Sequence, residues 1–465
     1  MKAYNFTNNE GSPQDKGAEP RDTAGALSGP SASESGQDDS ERKGERLLEA
    51  IVSRENLNLA YKRVKANGGS HGADGMTVEE LLPYLKQHGT ALRQSILEGV
   101  YNPQAVRRVE IEKPDGGTRQ LGIPTVVDRL IQQAIAQALN SVFDKGFSAN
   151  SYGFRPGRSA HMAIKAARSH IEDGGRWVVD LDLEKFFDRV NHDKLMSLVA
   201  RKVKDKRVLR LIRKYLESGV LVNGVKVKNE EGTPQGGPLS PLLANIMLDE
   251  LDKELESRGH KFCRYADDCN IYVKSMKAGA RVMGSITRYI ESVLKLKVNR
   301  KKSAVDQPGA RKFLGFSFYV KEGKARNFVH VKSIQRFREK VREITSRSNG
   351  RGMEWRRDKL ARLITGWVNY FHIADMWGPA RELDGWIRRR IRMCYWKQWK
   401  WIKTKHDNLV RLGLNTSKAW EFANSRKGGW SISGSAVLNR TLSNECLEKL
   451  GFPSLSRRLS SACQF

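Results

Sequence analysis

Two adjacent carboxylates, Asp267 and Asp268, lie at the bend between two short apolar runs within residues 262–273. Aromatic and β-branched residues on both sides favour strands, and the Ala-Asp-Asp centre favours a tight turn. Adjacent like charges are unfavourable unless a positive charge lies beside them. The pattern therefore predicts a divalent cation, since Mg²⁺ prefers carboxylate, water and phosphate oxygens. A solvated acidic turn is the simpler interpretation of an isolated Asp-Asp pair, so the rest of the chain must decide.

A second acidic segment can supply a third carboxylate. Residues 177–179 are apolar and strand-like, and Asp180 and Asp182 share one face because strand side chains alternate. A carboxylate that ends a buried strand is unfavourable without a partner or a metal. Two-metal phosphoryl-transfer sites hold cations about 3.5–4 Å apart with such groups. The spacing leaves both Asp180 and Asp182 open as the ligand.

The charge of the chain points to a polyanionic partner. The sequence has 82 Lys and Arg residues against 52 Asp and Glu, a formal charge of +30. Residues 1–45 contain 5 basic and 9 acidic residues, a net of −4, which leaves +34 for the rest. We expect this apolar-poor segment to be disordered. A basic folded part favours nucleic acid over a membrane surface, and no run approaches 18 apolar residues, so we expect no membrane partner.

Cysteine usage and the first residues indicate a reduced, cytoplasmic protein. The start of the chain has no apolar core segment typical of a secretory signal. The cysteines are too few and too scattered for a disulfide framework, and none forms a Cys-x-x-Cys zinc motif. They are Cys263, Cys269, Cys394, Cys446 and Cys463.

Residues 106–124 are predicted to form a β-hairpin that carries two cations. Alternating apolar residues flank a Pro-Asp-Gly-Gly turn, which is typical of a hairpin. Lys113 and Arg119 lie near its tip. Two cations on a stiff hairpin suit a triphosphate, although an ordinary charged hairpin has the same appearance.

Two loops rich in glycine and proline are candidates for nucleic-acid contacts. Residues 151–159 contain Arg155, Arg158 and two aromatic residues, and they lead into a predicted helix. Such loops contact phosphate backbones and stack on bases. Residues 232–245 also enter a helix, with Ser240 as its expected N-cap. Two consecutive glycines in that loop would let the backbone approach a nucleotide closely.

The composition changes after about residue 330. Apolar residues at 360, 363, 364, 367 and 371 form one helical stripe, and nine of the ten tryptophans follow residue 350. Residues 381–405 contain 9 Lys and Arg against 2 Asp and Glu. We predict helices that bury aromatic residues and present a basic face. A solvated helix bundle would explain the stripe, but it does not explain the sign of the charge.

Four motifs occur in one order: Asp-Leu-Glu-Lys-Phe-Phe-Asp (182–188), Thr-Pro-Gln-Gly-Gly-Pro-Leu-Ser-Pro (233–241), Tyr-Ala-Asp-Asp (265–268) and Phe-Leu-Gly-Phe (313–316). Together they resemble the reverse transcriptases, most closely the bacterial group II intron-encoded reverse transcriptase/maturases. The cationic hairpin and the loop at 151–159 match the same family. Gly-Trp-Val-Asn-Tyr-Phe (366–371) is typical of its maturase segment.

The resemblance implies an α+β fold of the right-hand polymerase type. After the disordered residues 1–45, fingers and palm with an antiparallel sheet would span 46–310. A helical maturase or thumb (X) domain would span 311–390, and a small, basic, aromatic DNA-binding region 391–465. Basic residues 294–303 are expected to form a strand and turn of the palm.

The end of the chain departs from many members of this family. Those members carry an HNH endonuclease with paired cysteines and several histidines. After residue 367 this sequence has His372 and His406 and no cysteine pair. The chain therefore resembles the endonuclease-lacking type, which would need an existing 3′ end, such as a nascent strand, as its primer.

The resemblance also implies roles for single residues. Asp182 is favoured over Asp180 because Phe187 follows it by five residues, where the family has its sugar gate. The ligands of two Mg²⁺ ions would be Asp182, Asp267, Asp268 and the Leu183 carbonyl. The nucleotide would contact Lys113, Arg119, Phe187 and Gln235. Nucleic acid would contact Arg155, Arg158, Gly236, Gly237, Lys301, Lys302 and Gly315. Lys301 or Lys302 would protonate the leaving pyrophosphate.

The implied function is an RNA-directed DNA polymerase that reverse transcribes its group II intron RNA and assists splicing and mobility. Its partners would be the intron RNA, a target DNA or primer strand and dNTPs; the sequence carries no signal for an oligomeric state. One alternative is an RNA-binding maturase without polymerase activity, which the intact carboxylates disfavour. The other is a retron, diversity-generating or CRISPR-linked reverse transcriptase, which the motif at 366–371 disfavours.

Overall fold

The computed structural model describes residues 46–112, 118–222, 225–227, 232 and 236–462. The predicted disorder of residues 1–45 falls outside this part of the chain. The described residues divide into two compact units, one ending at Phe313 and the other beginning at Leu314. The fold is α+β, as expected.

The first unit combines helices with two small sheets. Its helices are α1 (Leu47–Ile51), α2 (Arg54–Asn67), α3 (Leu81–Leu97), α4 (Val126–Phe143), α5 (Ala160–Glu172), α6 (His192–Ala200), α7 (Lys206–Glu217), α8 (Ser240–Ser257) and α9 (Met276–Ser292). Its strands are β1 (Val106–Glu112), β2 (Thr118–Ile123), β3 (Trp177–Leu181), β4 (Val220–Val222), β5 (Val225–Val227), β6 (Lys261–Tyr265), β7 (Asp268–Val273) and β8 (Ala304–Asp306).

The sheets confirm both predicted hairpins. One sheet has the order β2-β1-β4-β5, and its antiparallel β1–β2 pair is the hairpin expected at residues 106–124. The other has the order β6-β7-β3-β8 with antiparallel neighbours, and its β6–β7 pair is the acidic hairpin. Helices α4 and α8 pack into the core of this unit and bury most of their residues. The strands of the second sheet contact α5, α8 and α9.

Two local predictions were wrong. Residues 294–303 contain the predicted turn, at 300–302, but not the predicted strand, since within this segment Val298 alone bridges to another segment, at Leu183. Ser240 is not an N-cap but the first residue of α8. The cap is Leu239, whose backbone is already helical and which makes no side-chain capping bond.

The second unit is a β-hairpin followed by helices. Its strands are β9 (Phe316–Lys321) and β10 (Lys324–Val329). Its helices are α10 (Val331–Ile344), α11 (Met353–Phe371), α12 (Trp377–Gln398), α13 (Ile402–Arg411), α14 (Thr416–Ala423), α15 (Gly429–Ile432), α16 (Ala436–Thr441), α17 (Asn444–Lys449) and α18 (Leu455–Ala462). The predicted apolar stripe lies on α11, where its members Leu360, Ile364 and Phe371 are buried. Among the described residues, no helix has both the length and the apolar character needed to cross a bilayer.

Candidate active site

The turn between β6 and β7 holds the two adjacent carboxylates. Tyr265 pairs with Asp268 across the hairpin, so Ala266 and Asp267 form a two-residue loop. Ala266 has a φ of +57°. This conformation is usually left to glycine, and such backbone strain costs about 1–3 kcal/mol. The surrounding residues must therefore hold the turn in place.

The loop at residues 151–158 supports one side of this turn. The Tyr152 amide donates to the Arg264 carbonyl at 2.9 Å, which adds the loop to the edge of β6. Gly153 then passes so close to the turn that a Cβ there would lie 2.3 Å from the Ala266 nitrogen. The loop at 151–158, which was predicted to contact nucleic acid, therefore also packs against the turn that carries the carboxylates.

The two arginines of that loop differ in their surroundings. The Arg155 side chain is only 5% exposed, and its guanidinium donates to the Asp144 carboxylate at 2.7 Å and to the Ser148 carbonyl at 2.5 Å. Arg158 is half-buried and lies over the Tyr152 ring at 5.6 Å. Arg155 stabilises the loop through hydrogen bonds inside the protein, whereas the half-buried Arg158 side chain is accessible enough to contact a phosphate.

The sheet brings Asp182 beside the acidic turn. Strand β3 lies between β7 and β8, and Leu181 pairs with Cys269. Asp182 directly follows the strand, so in this register it comes opposite Asp268. Asp182 and Asp268, which are 86 positions apart in the sequence, thus meet at one edge of the sheet.

Leu183 presents its backbone at the same edge. It forms an antiparallel bridge with Val298, and beside this bridge the Asn299 amide donates to the Asp182 carbonyl at 2.8 Å. A second backbone hydrogen bond flanks the bridge on its other side, so Leu183 and Val298 form a non-hydrogen-bonded pair of the antiparallel ladder. The central residue of such a pair directs its own carbonyl away from its partner. The Leu183 carbonyl therefore points out of this ladder.

Asp180 has a different environment from Asp182. Its carboxylate is buried, and Oδ2 accepts hydrogen bonds from Arg311 Nε at 2.8 Å and Nη2 at 2.5 Å. Arg311 also donates to the Lys302 carbonyl at 2.7 Å. Burial raises the pKa of Asp180, while the hydrogen bond and charge of Arg311 oppose that shift. Asp180 thus forms an ion pair inside the protein.

The carboxylates at this edge repel one another. Burial raises the pKa of Asp268 to about 8, and the charges of Asp180, Asp267 and Asp182 add to the shift, with Lys312 opposing it. A carboxyl group in this position gains from a nearby cation. The donors are carboxylates and a carbonyl, which suits a hard divalent ion. Across the described residues, no three acidic, histidine or cysteine side chains converge as a metal cluster.

We expect the raised pKa of Asp268 to make binding of a divalent cation dependent on pH. At pH 7 this carboxyl group retains its proton in the metal-free protein, and a bound cation must displace it. We expect affinity for Mn²⁺ to increase roughly tenfold per pH unit up to about pH 8 and then to level off. Calorimetry in two buffers of different ionisation enthalpy measures the released proton. Binding at pH 7 without proton release would contradict this prediction.

Phe187 lies beside the loop that leads to residues 233–235. His192 Nε2 is 2.6 Å from the Gly232 carbonyl oxygen, and a Cβ at Gly232 would lie 2.7 Å from the Phe187 carbonyl oxygen. Phe187 itself is half-buried, edge-on to the neighbouring phenylalanine. Gln235 lies outside the described residues, and its position near the nucleotide stays a prediction.

The two glycines of this loop pack against the protein itself. Gly236 has a φ of +126°, and a Cβ there would lie 2.7 Å from the Gly122 carbonyl oxygen. A Cβ at Gly237 would lie 2.2 Å from Gln132 Oε1. Close packing on β2 and α4 is therefore one reason why these positions need glycine.

The cationic hairpin is described in part. Ile111 lies opposite Arg119 in the β1–β2 pair, so the backbone of Arg119 belongs to β2. Its side chain and the whole of Lys113 fall outside the described residues. Their contact with a triphosphate stays a prediction.

The remaining predicted residues lie in different surroundings. Lys301 and Lys302 are exposed on the turn after Asn299. Gly315 belongs to the second unit, where it has a φ of +89° and a Cβ would lie 3.2 Å from the Phe371 ring. Close packing within the second unit is thus enough to explain why this position needs glycine.

Comparison with known protein families gives two matches. Residues 111–318 match the family described as reverse transcriptase (RNA-dependent DNA polymerase). Residues 334–413 match the group II intron, maturase-specific domain. The first match contains every carboxylate of the site, and the second lies within the helical unit.

Several curated proteins are similar to this chain. Protein YkfC of Escherichia coli K12 is 35% identical over 301 residues, which cover 56% of this chain and 79% of YkfC. Group II intron-encoded protein LtrA of Lactococcus lactis subsp. cremoris is 39% identical over 227 residues, 47% of this chain and 36% of LtrA. Among solved structures, a chain of "Partial Cas6-RT-Cas1--Cas2 complex" aligns at 25% identity over 53% of this chain and 42% of its own, with a TM-score of 0.35.

Proposed function

The chain belongs to the reverse transcriptases that carry a group II intron maturase domain, and from this premise we propose that it copies its own intron RNA into DNA and assists the splicing of that RNA. The observation that carries this proposal is the meeting of Asp182 with the Asp267-Asp268 turn. Phosphoryl transfer needs such a carboxylate edge. Its substrates would be dNTPs and a primer strand on target DNA, and its site of action the cytoplasm.

Asp182, Asp267, Asp268 and the Leu183 carbonyl would hold two Mg²⁺ ions. When bound, the ions supply positive charge that favours loss of the primer 3′-hydroxyl proton and balances charge on the leaving pyrophosphate. The sheet register places these donors at one edge, on β3 and on the β6–β7 turn, where they would direct the positive charge of the ions at the reacting phosphate. Lys301 or Lys302, both exposed near this edge, would donate a proton to the pyrophosphate.

The surroundings of Asp180 support Asp182 as the ligand. Asp180 accepts two hydrogen bonds from Arg311, which already neutralise its charge. To ligate a cation through Oδ2, Asp180 would have to break two part-buried, charge-assisted hydrogen bonds to Arg311, which is unfavourable. We propose that Asp180 and Arg311 instead anchor the strand end from which Asp182 projects.

Phe187 is proposed to select the sugar of the incoming nucleotide, with Lys113, Arg119 and Gln235 binding its phosphates and base side. A bulky ring beneath the ribose excludes a 2′-hydroxyl. The Phe187 ring packs edge-on against Phe186, and the Phe187 backbone packs against Gly232, so both restrain the position from which the ring projects. The gate therefore depends on packing as well as on the residue type.

We expect Phe187→Ala to incorporate ribonucleotides. Removing a steric clash of this size is worth about 1–3 kcal/mol, so discrimination against rNTPs should fall on the order of 10–200-fold. Single-nucleotide extension with dNTP and rNTP gives the two kcat/KM values. Phe187→Tyr keeps the bulk and serves as the matched control. Unchanged discrimination in the alanine variant would remove Phe187 from this role.

The second unit is proposed to bind RNA and DNA through its basic aromatic surface. Trp401 is 68% exposed with Lys400 5.2 Å from its ring centre. Trp386 has three arginine side chains within 5.8 Å of its ring, namely Arg338, Arg342 and Arg390. Aromatic faces beside cations suit unpaired bases and phosphates.

RNA binding by this protein should depend steeply on salt. Each phosphate contact contributes a slope of about −0.7 to the plot of log affinity against log salt for single strands. With +34 on the chain beyond residue 45, we expect several contacts and a loss on the order of 10³-fold or more between 50 and 200 mM salt. Filter binding over that range measures the slope, and a flat plot would contradict the proposal.

Primer extension on an RNA template tests the proposed function. Wild type should extend a DNA primer with dNTPs, and Asp267→Ala should not extend it while still supporting intron splicing. That pair of results assigns two separate functions to the chain. Splicing without extension by wild type would favour the splicing-only maturase and overturn the polymerase proposal.

A further inference from the structure

A fully buried arginine lies directly behind the acidic turn. Arg264, in β6, has 0% exposure, and Asp252 of α8 is equally buried. Arg264 Nε and Nη2 donate to the two carboxylate oxygens of Asp252 at 2.7 and 2.5 Å. Nη2 also donates to Ser151 Oγ at 2.8 Å, and Nη1 to Asn245 Oδ1 at 3.1 Å and to the Ala266 carbonyl at 2.9 Å.

These contacts account for the whole hydrogen-bonding capacity of the side chain. A guanidinium has five N–H donors, and the bonds to Asp252, Ser151, Asn245 and Ala266 use all five. No donor is left for a substrate. Arg264 therefore cannot bind a phosphate, although it lies one residue before the Tyr-Ala-Asp-Asp turn.

The network joins four separate segments of the first unit. Asn245 and Asp252 are seven residues apart and so lie on one face of α8. The Asn245 amide also donates to the Gly153 carbonyl at 2.8 Å, which ties in the loop that packs against the turn. The bond to the Ala266 carbonyl reaches the peptide that connects Ala266 to Asp267.

Stability alone does not explain this arrangement. A buried ion pair is often no more stabilising than apolar residues of the same volume. What the planar, bidentate arginine adds is geometry, because its fork fixes direction as well as distance. The residue it fixes, Ala266, is in the left-handed conformation that alanine rarely adopts.

We propose that Arg264 is a positioning residue. The buried Asp252 anchors its guanidinium, which holds the Ala266 carbonyl and so sets the direction of the Asp267 and Asp268 carboxylates toward the metal. The inference rests on the proposed function. Asp252 and Asn245 act through Arg264, and none of the three touches substrate. A lysine cannot replace the arginine, since its three donors diverge from one point and cannot reach all these partners.

The test compares Arg264→Lys with Arg207→Lys. Arg207 pairs with Glu49 and Asp205 in the same unit, so its replacement makes the same chemical change away from the turn. We expect Arg264→Lys to fold and to bind RNA as wild type does. Its half-saturating Mg²⁺ should rise about tenfold and its turnover should fall on the order of 10²-fold, the effect of a displacement of about 1 Å. Arg207→Lys should leave both values unchanged.

A second pair of variants separates positioning from simple stability. Arg264→Met combined with Asp252→Leu removes both charges, so the fold should be retained while extension stays slow. Extension at the wild-type rate in this double variant would overturn the proposal. If Arg264→Lys does not fold, Asn245→Ala leaves the ion pair in place and should still raise the Mg²⁺ requirement several-fold; an unchanged requirement would also overturn the proposal.

Mn²⁺ binding measured by calorimetry provides a readout that is independent of polymerisation. Weaker Mn²⁺ binding by Arg264→Lys than by wild type supports positioning even if no template is copied. Failure of wild type to extend a primer would reject the proposed function. Equal Mn²⁺ affinity of wild type and Arg264→Lys would reject the positioning role, so the two failures are distinguishable.

Discussion

Replacing Asp268 with asparagine is expected to abolish primer extension and, at the same time, to make the metal-free protein more stable above pH 8. In the proposed function this carboxylate helps to hold the cation, whose contribution to the transition state would be several kcal/mol. Extension should therefore fall by on the order of 10³-fold or more. The stability gain has a separate cause, which is the raised pKa of this group.

The sign of that gain follows from the two states of the protein. In the unfolded chain Asp268 loses its proton near its ordinary pKa of 3.8, whereas in the folded, metal-free protein it keeps the proton up to about pH 8. Between these values the folded state binds more protons, so the free energy of unfolding falls as pH rises. Above pH 8 the full penalty of burying the charge is present. Asparagine cannot ionise, and its variant avoids this loss.

Thermal unfolding in EDTA at pH 5 and pH 9 measures the effect. We expect the melting temperature of Asp268→Asn to exceed that of wild type at pH 9, with a smaller difference at pH 5. Asp306→Asn is the matched control, since Asp306 ends β8 of the same sheet and is not among the carboxylates acting on Asp268. Equal melting temperatures for Asp268→Asn and wild type at pH 9 would refute the assigned repulsion.

Gly153→Ala is expected to have the second-largest effect. The added Cβ would lie 2.3 Å from the Ala266 nitrogen and 3.0 Å from the Tyr265 carbonyl carbon. Both are backbone atoms, so the turn itself must shift. Overpacking of this kind costs about 1–3 kcal/mol in stability. A displacement of about 1 Å at the carboxylates lowers the rate on the order of 10²-fold.

Gly284→Ala provides the control for this substitution. Gly284 lies in α9 of the same unit, and a Cβ there would meet no atom within 4 Å. Alanine in a helix interior is favoured over glycine by about 0.5–1 kcal/mol, so this variant should be as active as wild type and slightly more stable. Primer extension and chemical denaturation of both variants test the contrast. Wild-type activity in Gly153→Ala would show that the loop does not define the turn.

The acidic hairpin and the strand before Asp182 were predictable because their information is local. Apolar runs of strand length around Ala-Asp-Asp, and an apolar run ending in Asp180 and Asp182, suffice to identify strands with carboxylates at their ends. The stripe on α11 was predictable for the same reason, since it follows the helical period. The predicted strand at 294–303 failed because alternation cannot reveal how far a neighbouring segment pairs with it, and here only Val298 bridges, to Leu183.

The residues that hold the site were not visible in the sequence. Arg264 is one of 82 cations and lies in β6 between Cys263 and Tyr265, where nothing in the sequence distinguishes it. Its partners Asp252 and Asn245 lie 12 and 19 positions away on a helix. Gly153 resembles any loop glycine, because the backbone it approaches is more than 100 residues further along the chain. The sequence likewise did not reveal that Arg155 forms its hydrogen bonds inside the protein.

The sequence by itself determined the motifs, the sign of the charge and therefore the polymerase family, because each of these is carried by neighbouring residues or by composition. The tertiary structure alone decided which aspartate has an arginine partner, which arginines remain exposed and how the strained turn at Ala266 is supported. Those properties depend on distances between segments far apart in the chain. Burial and hydrogen bonding across such distances give Asp180, Asp182 and Asp268 their different environments, although all three are aspartates at the ends of strands.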